Sequence, residues 1–220
     1  MYFPWSQLLG ESIELWTVQL PGRGLRISEP LVHRFTDILT CVAPAIARLL
    51  DKPTAIFGHS LGARLGFEVA RWLRRHGFPP PIRLFASASA APHVRHYGEA
   101  LSSLPDSELI LKLKEFNGLP DAALKNAELL ELVLPVVRAD FAIAEHYCLE
   151  IEPPLDMSID ALYGFSDNTG AEERASAWRE HTTGAFTLRG FPGDHFYLHQ
   201  NRSPVLAHVV SALQLAPAYS

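Results

Sequence analysis

The chain has 220 residues, 48% hydrophobic and 20% charged, enough to bury one sizeable core as a single domain with an insertion. Its formal net charge of −5 offers no global positive field for nucleic acid or an anionic membrane, so an acidic partner would need a local basic patch. Cys41 and Cys148 are too few for a disulfide framework and lack metal-ligand spacing; they read as reduced, buried thiols, which fits a cytoplasmic location. The start "MYFPWSQLLGES" lacks the basic region and cleavage site of a signal peptide, and no apolar run reaches the roughly 18 residues of a membrane span.

In chain order, "IELWTVQL" (13 to 20) predicts a strand stopped by the turn "PGRG". Leu31, Phe35, Ile38, Leu39, Val42, Ile46 and Leu49 then recur at helical steps, with Pro44 expected to kink or split the helix. "TAIF" (54 to 57) predicts a second strand, residues 61 to 76 a helix closed by Gly77, and "IRLFASAS" (82 to 89) a third strand. That alternation favours a parallel sheet covered by helices.

From about 97 to 150 the pattern is helical only. "DSELILKLKEF" ends at Asn117-Gly118, and "NAELLELVLPVVRADFAIAEHY" is interrupted by Pro135. Such a block between strands reads as an inserted cap over 98 to 150. The sheet rhythm returns with "DALYG" (160 to 164), a helix over 171 to 181, and "AFTLRGF" (185 to 191); a last helix is expected with Ser203 as cap and Pro204 at its first position.

Gly58-His59-Ser60-Leu61-Gly62 is a G-x-S-x-G motif lying directly after a predicted strand and before a predicted helix. The glycines allow a sharp turn that presents the Ser60 hydroxyl, and the helix N-terminus makes Leu61 N–H the natural first oxyanion donor. A serine hydroxyl needs a histidine base, which in turn needs a carboxylate to fix its tautomer. Of the ten histidines, His195 in "FPGDHFYL" lies in a glycine-containing loop between the last strand and last helix. For the acid, Asp167 in "LYGFSDNTG" follows the "DALYG" strand on the same sheet edge, whereas Asp160 is placed before that strand and Asp194 is too close in sequence to His195. His59 reads as a packing or hydrogen-bonding residue, and His93 with His96 as a weak metal pair; no metal is needed.

With Ser60 in "FGHSLGA", Asp167 in "YGFSDN" and His195 in "GDHFYL", together with "VQLPGRGLRISEP" and "LPVVRADFAIAEHY", the chain resembles the stand-alone type II thioesterases of polyketide and nonribosomal peptide synthesis. The resemblance runs through nearly the whole chain. It implies an α/β-hydrolase fold forming one domain over 1 to 220, with the block at 98 to 150 as a lid over an acyl chamber. Leu109, Ile110, Leu113, Leu129, Leu130 and Val133 would either line that chamber or form the lid's own packing core.

The function so implied is hydrolysis of misprimed acyl or aminoacyl groups from the phosphopantetheine arm of acyl or peptidyl carrier proteins. No cofactor is required, and the protein is expected to act as a monomer. Arg71, Arg74 and Arg75, or Arg23 and Arg26, could dock an acidic carrier, or could be solvated surface residues. Arg64, one helical turn past Ser60, could approach the phosphate of that arm or pair with Glu68. The family normally begins with a strand and a glycine-rich turn that supplies the second oxyanion N–H; here the sequence opens just after that point, so this strand is expected to be missing and Met1 to be an internal start or a fragment boundary. A small-molecule carboxylesterase or lipase, a catalytically impaired binding module and a cyclising thioesterase domain are the competing readings.

Overall fold

A computed structural model describes residues 2–94, 100–115, 117–119, 124–167 and 171–214. Four parallel strands lie in sequential order: β1 (Ala55–His59), β2 (Arg83–Ser87), β3 (Ser158–Gly164) and β4 (Phe186–Phe191). Interior strands of such a sheet are covered on both faces and so read as continuous apolar runs. β3 shows this: from Ile159 to Gly164 every residue is buried.

Among the described residues the α-helices include α1 (Phe35–Ala47), α2 (Leu61–Arg75), α3 (Asp106–Glu115), α4 (Ala127–Glu145), α5 (Glu172–Ser176) and α6 (Arg202–Gln214). α2 packs on β1 and β2, where Gly66 lets the helix approach: a Cβ there would fall 2.7 Å from Ile56 Cγ2. On the other face, Phe85, Leu162 and Phe191 meet Val205, Leu206 and Val209 of α6, with Trp5 of the N-terminal 3-10 turn and Leu9 just after it closing the cluster.

The chain divides into two compact units. The first joins Met1–Val18, Val42–Ala91 and Glu152–Ser220 and contains the sheet; the second joins Gln19–Cys41 and Pro92–Ile151. The helical block expected at 98 to 150 thus falls in a unit that also takes in residues 19–41. Its core is Leu101, Leu104, Leu109, Leu113 and Leu134. Two polar clamps hold it: Arg138 Nη1 donates to the Ser102 and Leu104 carbonyls (2.6 and 2.7 Å), and Glu145 accepts from Ser102 N and Oγ (3.2 and 2.5 Å).

Several expectations change. Residues 13–20 form no strand, because no neighbouring segment pairs with them among the described residues; β1 is one edge of the sheet, and Trp16 and Val18 are exposed. α1 and α4 continue through Pro44 and Pro135, since each proline removes a single intrahelical donor while the flanking turns remain bonded. The cap of α4 is Asn126, whose side chain accepts from Leu129 N at 3.2 Å. Ser203 is not a cap: α6 starts at Arg202, leaving Ser203 and Pro204 in a first turn whose N–H groups lack intrahelical partners anyway. Both cysteines are exposed: Cys41 lies off the α1 stripe marked by Ile38 and Val42, and Cys148 follows the end of α4.

Candidate active site

Parallel strands deliver their following loops to one edge, and three such loops carry the predicted site residues. Ser60 sits between β1 and α2 with φ 55° and ψ −119°, a conformation a side-chain-bearing residue adopts only under constraint. The constraint is visible: Ser60 N donates to Ser87 O at 2.8 Å, and Ala63 N to Ser60 O at 3.0 Å. Although Ser60 stands at the N-cap of α2, its side chain makes no capping bond. Leu61 N–H is the first donor of the 15-residue helix. The two glycines of the motif differ. A Cβ on Gly58 would lie 2.1 Å from Gly62 O, whereas one on Gly62 meets nothing within 4 Å, so only the first is sterically required.

The loops after β3 and β4 are stitched together. Phe165 N donates to Phe191 O (2.9 Å) and Ser166 N to Gly193 O (2.8 Å), while a Cβ on Gly164 would strike Asp194 O at 2.4 Å. Gly193, at φ 114°, makes the bend. Asp194, set aside as the acid, caps its own loop by accepting from Phe196 N at 2.8 Å. These contacts bring His195 Nδ1 to 3.0 Å from Asp167 Oδ2, with the Asp167 side chain 1% exposed and that of His195 16%. A carboxylate accepts only, so Nδ1 carries a proton, and in the neutral form of the ring the lone pair lies on Nε2.

His59 joins the serine side to the histidine side, its ring centroid 5.2 Å from that of His195 and 6.1 Å from that of Tyr197. Its Nδ1 lies 2.9 Å from Ser87 Oγ, which is 2.6 Å from the Tyr197 hydroxyl. Nε2 is buried without a partner in hydrogen-bonding geometry. Burial, then the neighbouring His195, push the His59 pKa down to about 3, so the ring is neutral; the weak pull of the His195 backbone does not offset this. Burial likewise raises the Tyr197 phenol. Ser87 and Tyr197 were not singled out from the sequence; the signal available was a serine ending a buried strand and a tyrosine two residues after His195.

Asp160, the other weighed acid, lies inside β3 rather than before it. It is paired with Arg83 and, at 2.8 Å, with His208 Nε2. The candidate docking cations are matched to carboxylates. Arg71, 2% exposed, meets Glu68 (2.5 Å) and Glu152 (2.8 Å), and Arg74 and Arg75 each reach Glu152 at 2.7 Å. Arg23 grips Asp140 through two bonds of 2.7 and 3.0 Å, and Arg26 grips Glu29. Glu68 is thus a partner of Arg71 within α2. His96, half of the weak metal pair, lies outside the described residues.

A parallel sheet bearing a strained serine elbow after one strand, and an Asp–His pair on the loops after two others, defines an α/β hydrolase. More narrowly, residues 1–213 match the Thioesterase domain family, and the chain belongs to that family. It is 38% identical over 217 residues to the protein named linear gramicidin dehydrogenase LgrE of Brevibacillus parabrevis, covering 97% of this chain and 82% of that one. Among solved structures, RedJ, a thioesterase from the prodiginine biosynthetic pathway in Streptomyces coelicolor, aligns with TM-score 0.89 at 38% identity, covering 96% of this chain and 79% of that one. BorB, the type II thioesterase from the borrelidin biosynthetic cluster, aligns with TM-score 0.88 at 34% identity over 96% and 86% of the two chains. Despite the name of the first relative, this chain presents a serine elbow after β1 where a dinucleotide-binding enzyme would carry a G-x-G-x-x-G turn.

Proposed function

We propose that this thioesterase hydrolyses acyl or aminoacyl thioesters from the phosphopantetheine arm of acyl or peptidyl carrier proteins, clearing misprimed groups from a modular synthetase. The observation that carries the chemistry is the 3.0 Å Asp167–His195 bond alongside the strained Ser60 elbow. The kinship with RedJ and BorB supports the substrate class.

In this reading, Ser60 Oγ attacks the thioester carbonyl carbon as His195 Nε2 takes its proton, and Asp167 steadies the resulting imidazolium. The carbonyl oxygen gains the charge, and Leu61 N–H donates to it. The tetrahedral intermediate collapses by breaking the C–S bond, and the departing sulfur takes the proton from His195. Water then gives a proton to His195 and attacks the Ser60 ester; collapse returns that proton to Ser60 and frees the carboxylic acid. A thiol leaves more readily than an amine, so the protonation step is less demanding than in amide hydrolysis. No bound cofactor enters these steps.

The test compares deacylation of an acyl-phosphopantetheine carrier protein with hydrolysis of a simple aryl ester, using Ser60→Ala as control. Carrier deacylation lost in Ser60→Ala is expected. Preference for the aryl ester with no carrier deacylation would replace this reading by a small-molecule esterase, and failure of a fluorophosphonate to label Ser60 in the folded protein would replace it by a binding module.

A further inference from the structure

We infer that Ser87 is a positioning residue that sets the register between Ser60 and His195, acting through both its main chain and its hydroxyl. Ser87 ends β2 and is fully buried. Its carbonyl accepts from Ser60 N at 2.8 Å, which pins the nucleophile turn. Its Oγ stands 2.6 Å from the Tyr197 hydroxyl, two residues beyond His195, and 2.9 Å from Nδ1 of His59, one residue before Ser60. One residue thus touches the elbow and the histidine loop at once. The inference rests on the roles proposed above for Ser60, Asp167 and His195.

A hydroxyl carries one proton, which limits how the three groups can be joined. His59 is neutral and holds one ring proton. If Ser87 donates to Nδ1, Tyr197 donates to Ser87; if Nδ1–H donates instead, Ser87 Oγ accepts it and either donates to Tyr197 or accepts from it as well. Each arrangement satisfies every contact between the three groups, and each is broken by loss of the middle hydroxyl. Tyr197 is further fixed by Phe191 of β4, whose ring stacks on it at 5.4 Å and 6°. Movement of the tyrosine would therefore carry the 192–199 loop, and with it His195. The Asp167 bond at Nδ1 fixes the ring against the carboxylate, while the Tyr197 contacts fix the loop that carries it.

The experiment uses Ser87→Ala and Tyr197→Phe, singly and together, each removing a hydroxyl and little volume. Active sites are titrated with a fluorophosphonate, and kcat and KM per titrated site are measured on a short acyl-N-acetylcysteamine thioester. Sub-ångström to 1 Å misplacement of a catalytic group costs on the order of 10- to 100-fold in turnover. We expect kcat per titrated site to fall by on the order of tenfold or more in each single variant, KM to stay within about twofold, and the double variant to resemble the singles, as for parts of one device. A purely structural role would lower the titratable fraction or the melting temperature while leaving kcat per titrated site intact. That result in both single variants, or a double variant whose loss is the product of the singles, overturns the inference; should Ser87→Ala not fold, Tyr197→Phe decides alone. Ser60→Ala run in parallel separates the two levels: full activity there refutes the catalytic reading itself, whereas an inactive Ser60→Ala beside unimpaired Ser87 and Tyr197 variants refutes only the positioning role.

Discussion

Acid should weaken this protein through His59, and the size of the effect follows from its surroundings. The ring is neutral when folded, with a pKa pushed down to about 3, first by burial and then by His195. In the unfolded chain the group returns to about 6.5, so between those values the unfolded state binds a proton that the folded state does not. Stability therefore rises with pH through this window: the His59 contribution is fully present above about 6.5 and is lost as pH falls towards 3. One linked proton has a limiting slope of about 1.4 kcal/mol per pH unit, which gives about 2 kcal/mol lost between pH 7.5 and 5.0. Because pH 5 lies well above the folded value, that figure depends on the unfolded pKa and on the ring being neutral. Replacing His59 by Asn retains a polar atom near Ser87 and removes the titration. Urea unfolding followed by tryptophan fluorescence at the two pH values should show the parent losing about 2 kcal/mol more than His59→Asn, whatever their difference at pH 7.5. Equal pH dependence in the two proteins would refute the neutral, buried ring.

Gly58→Ala places a Cβ 2.1 Å from Gly62 O, backbone against backbone, and should cost more than about 3 kcal/mol or prevent folding; Gly62→Ala meets open space and should leave the melting temperature unchanged or slightly raised. Asp167→Asn should lower kcat by on the order of 10⁴-fold with the fold intact by circular dichroism, since the histidine loses the partner that fixes its tautomer. Glu152→Gln removes the carboxylate shared by Arg71, Arg74 and Arg75 and should destabilise by about 3 kcal/mol in denaturant titrations at pH 7. Burial opposes ionisation of Glu152, yet hydrogen bonds from Arg74 and Arg71 hold its pKa below the usual range, so its stabilisation is present above the unfolded value and the gap between parent and variant should close as pH falls through the folded one.

The parts of this site readable in the sequence are those set by local pattern. A buried apolar run, glycine, serine and then helical periodicity specify an elbow almost by themselves, and the chain order serine, acid, histidine follows the sheet's topology. Less legible was anything decided by partners far along the chain. Residues 13–20 have strand composition, but a strand exists only beside a neighbour, and none pairs there among the described residues. Arg71, Arg74 and Arg75 look like a basic patch in "RWLRRHG" until Glu152, about eighty residues later, is brought against them. Ser87 and Tyr197, 110 positions apart, carry no motif at all; only the register of β2 and the turn after β4 make them meet.

Among the described residues, Asp–His pairs occur both within the sheet and beyond its strand ends, and the contrast between them shows why composition alone does not mark a candidate catalytic centre. Asp160 and His208 meet at 2.8 Å, closer than Asp167 and His195, and are equally well buried at the carboxylate. Yet Asp160 lies inside β3, where its other oxygen is taken by Arg83, and His208 projects from α6 with Arg189 Nη1 standing 3.4 Å from its Nδ1. Both nitrogens of His208 are thus engaged by groups that fix it, and neither faces a hydroxyl held in a strained turn. In the Asp167–His195 pair the acid and the histidine both lie beyond the strand ends, where loops reach the sheet's carboxyl edge, and Nδ1 alone serves the carboxylate. On the proposed reading, what separates His195 from the structural imidazole of His208 is therefore the position of each pair relative to the end of its strand, a difference of a few residues that puts one pair beside the serine elbow and the other within the sheet.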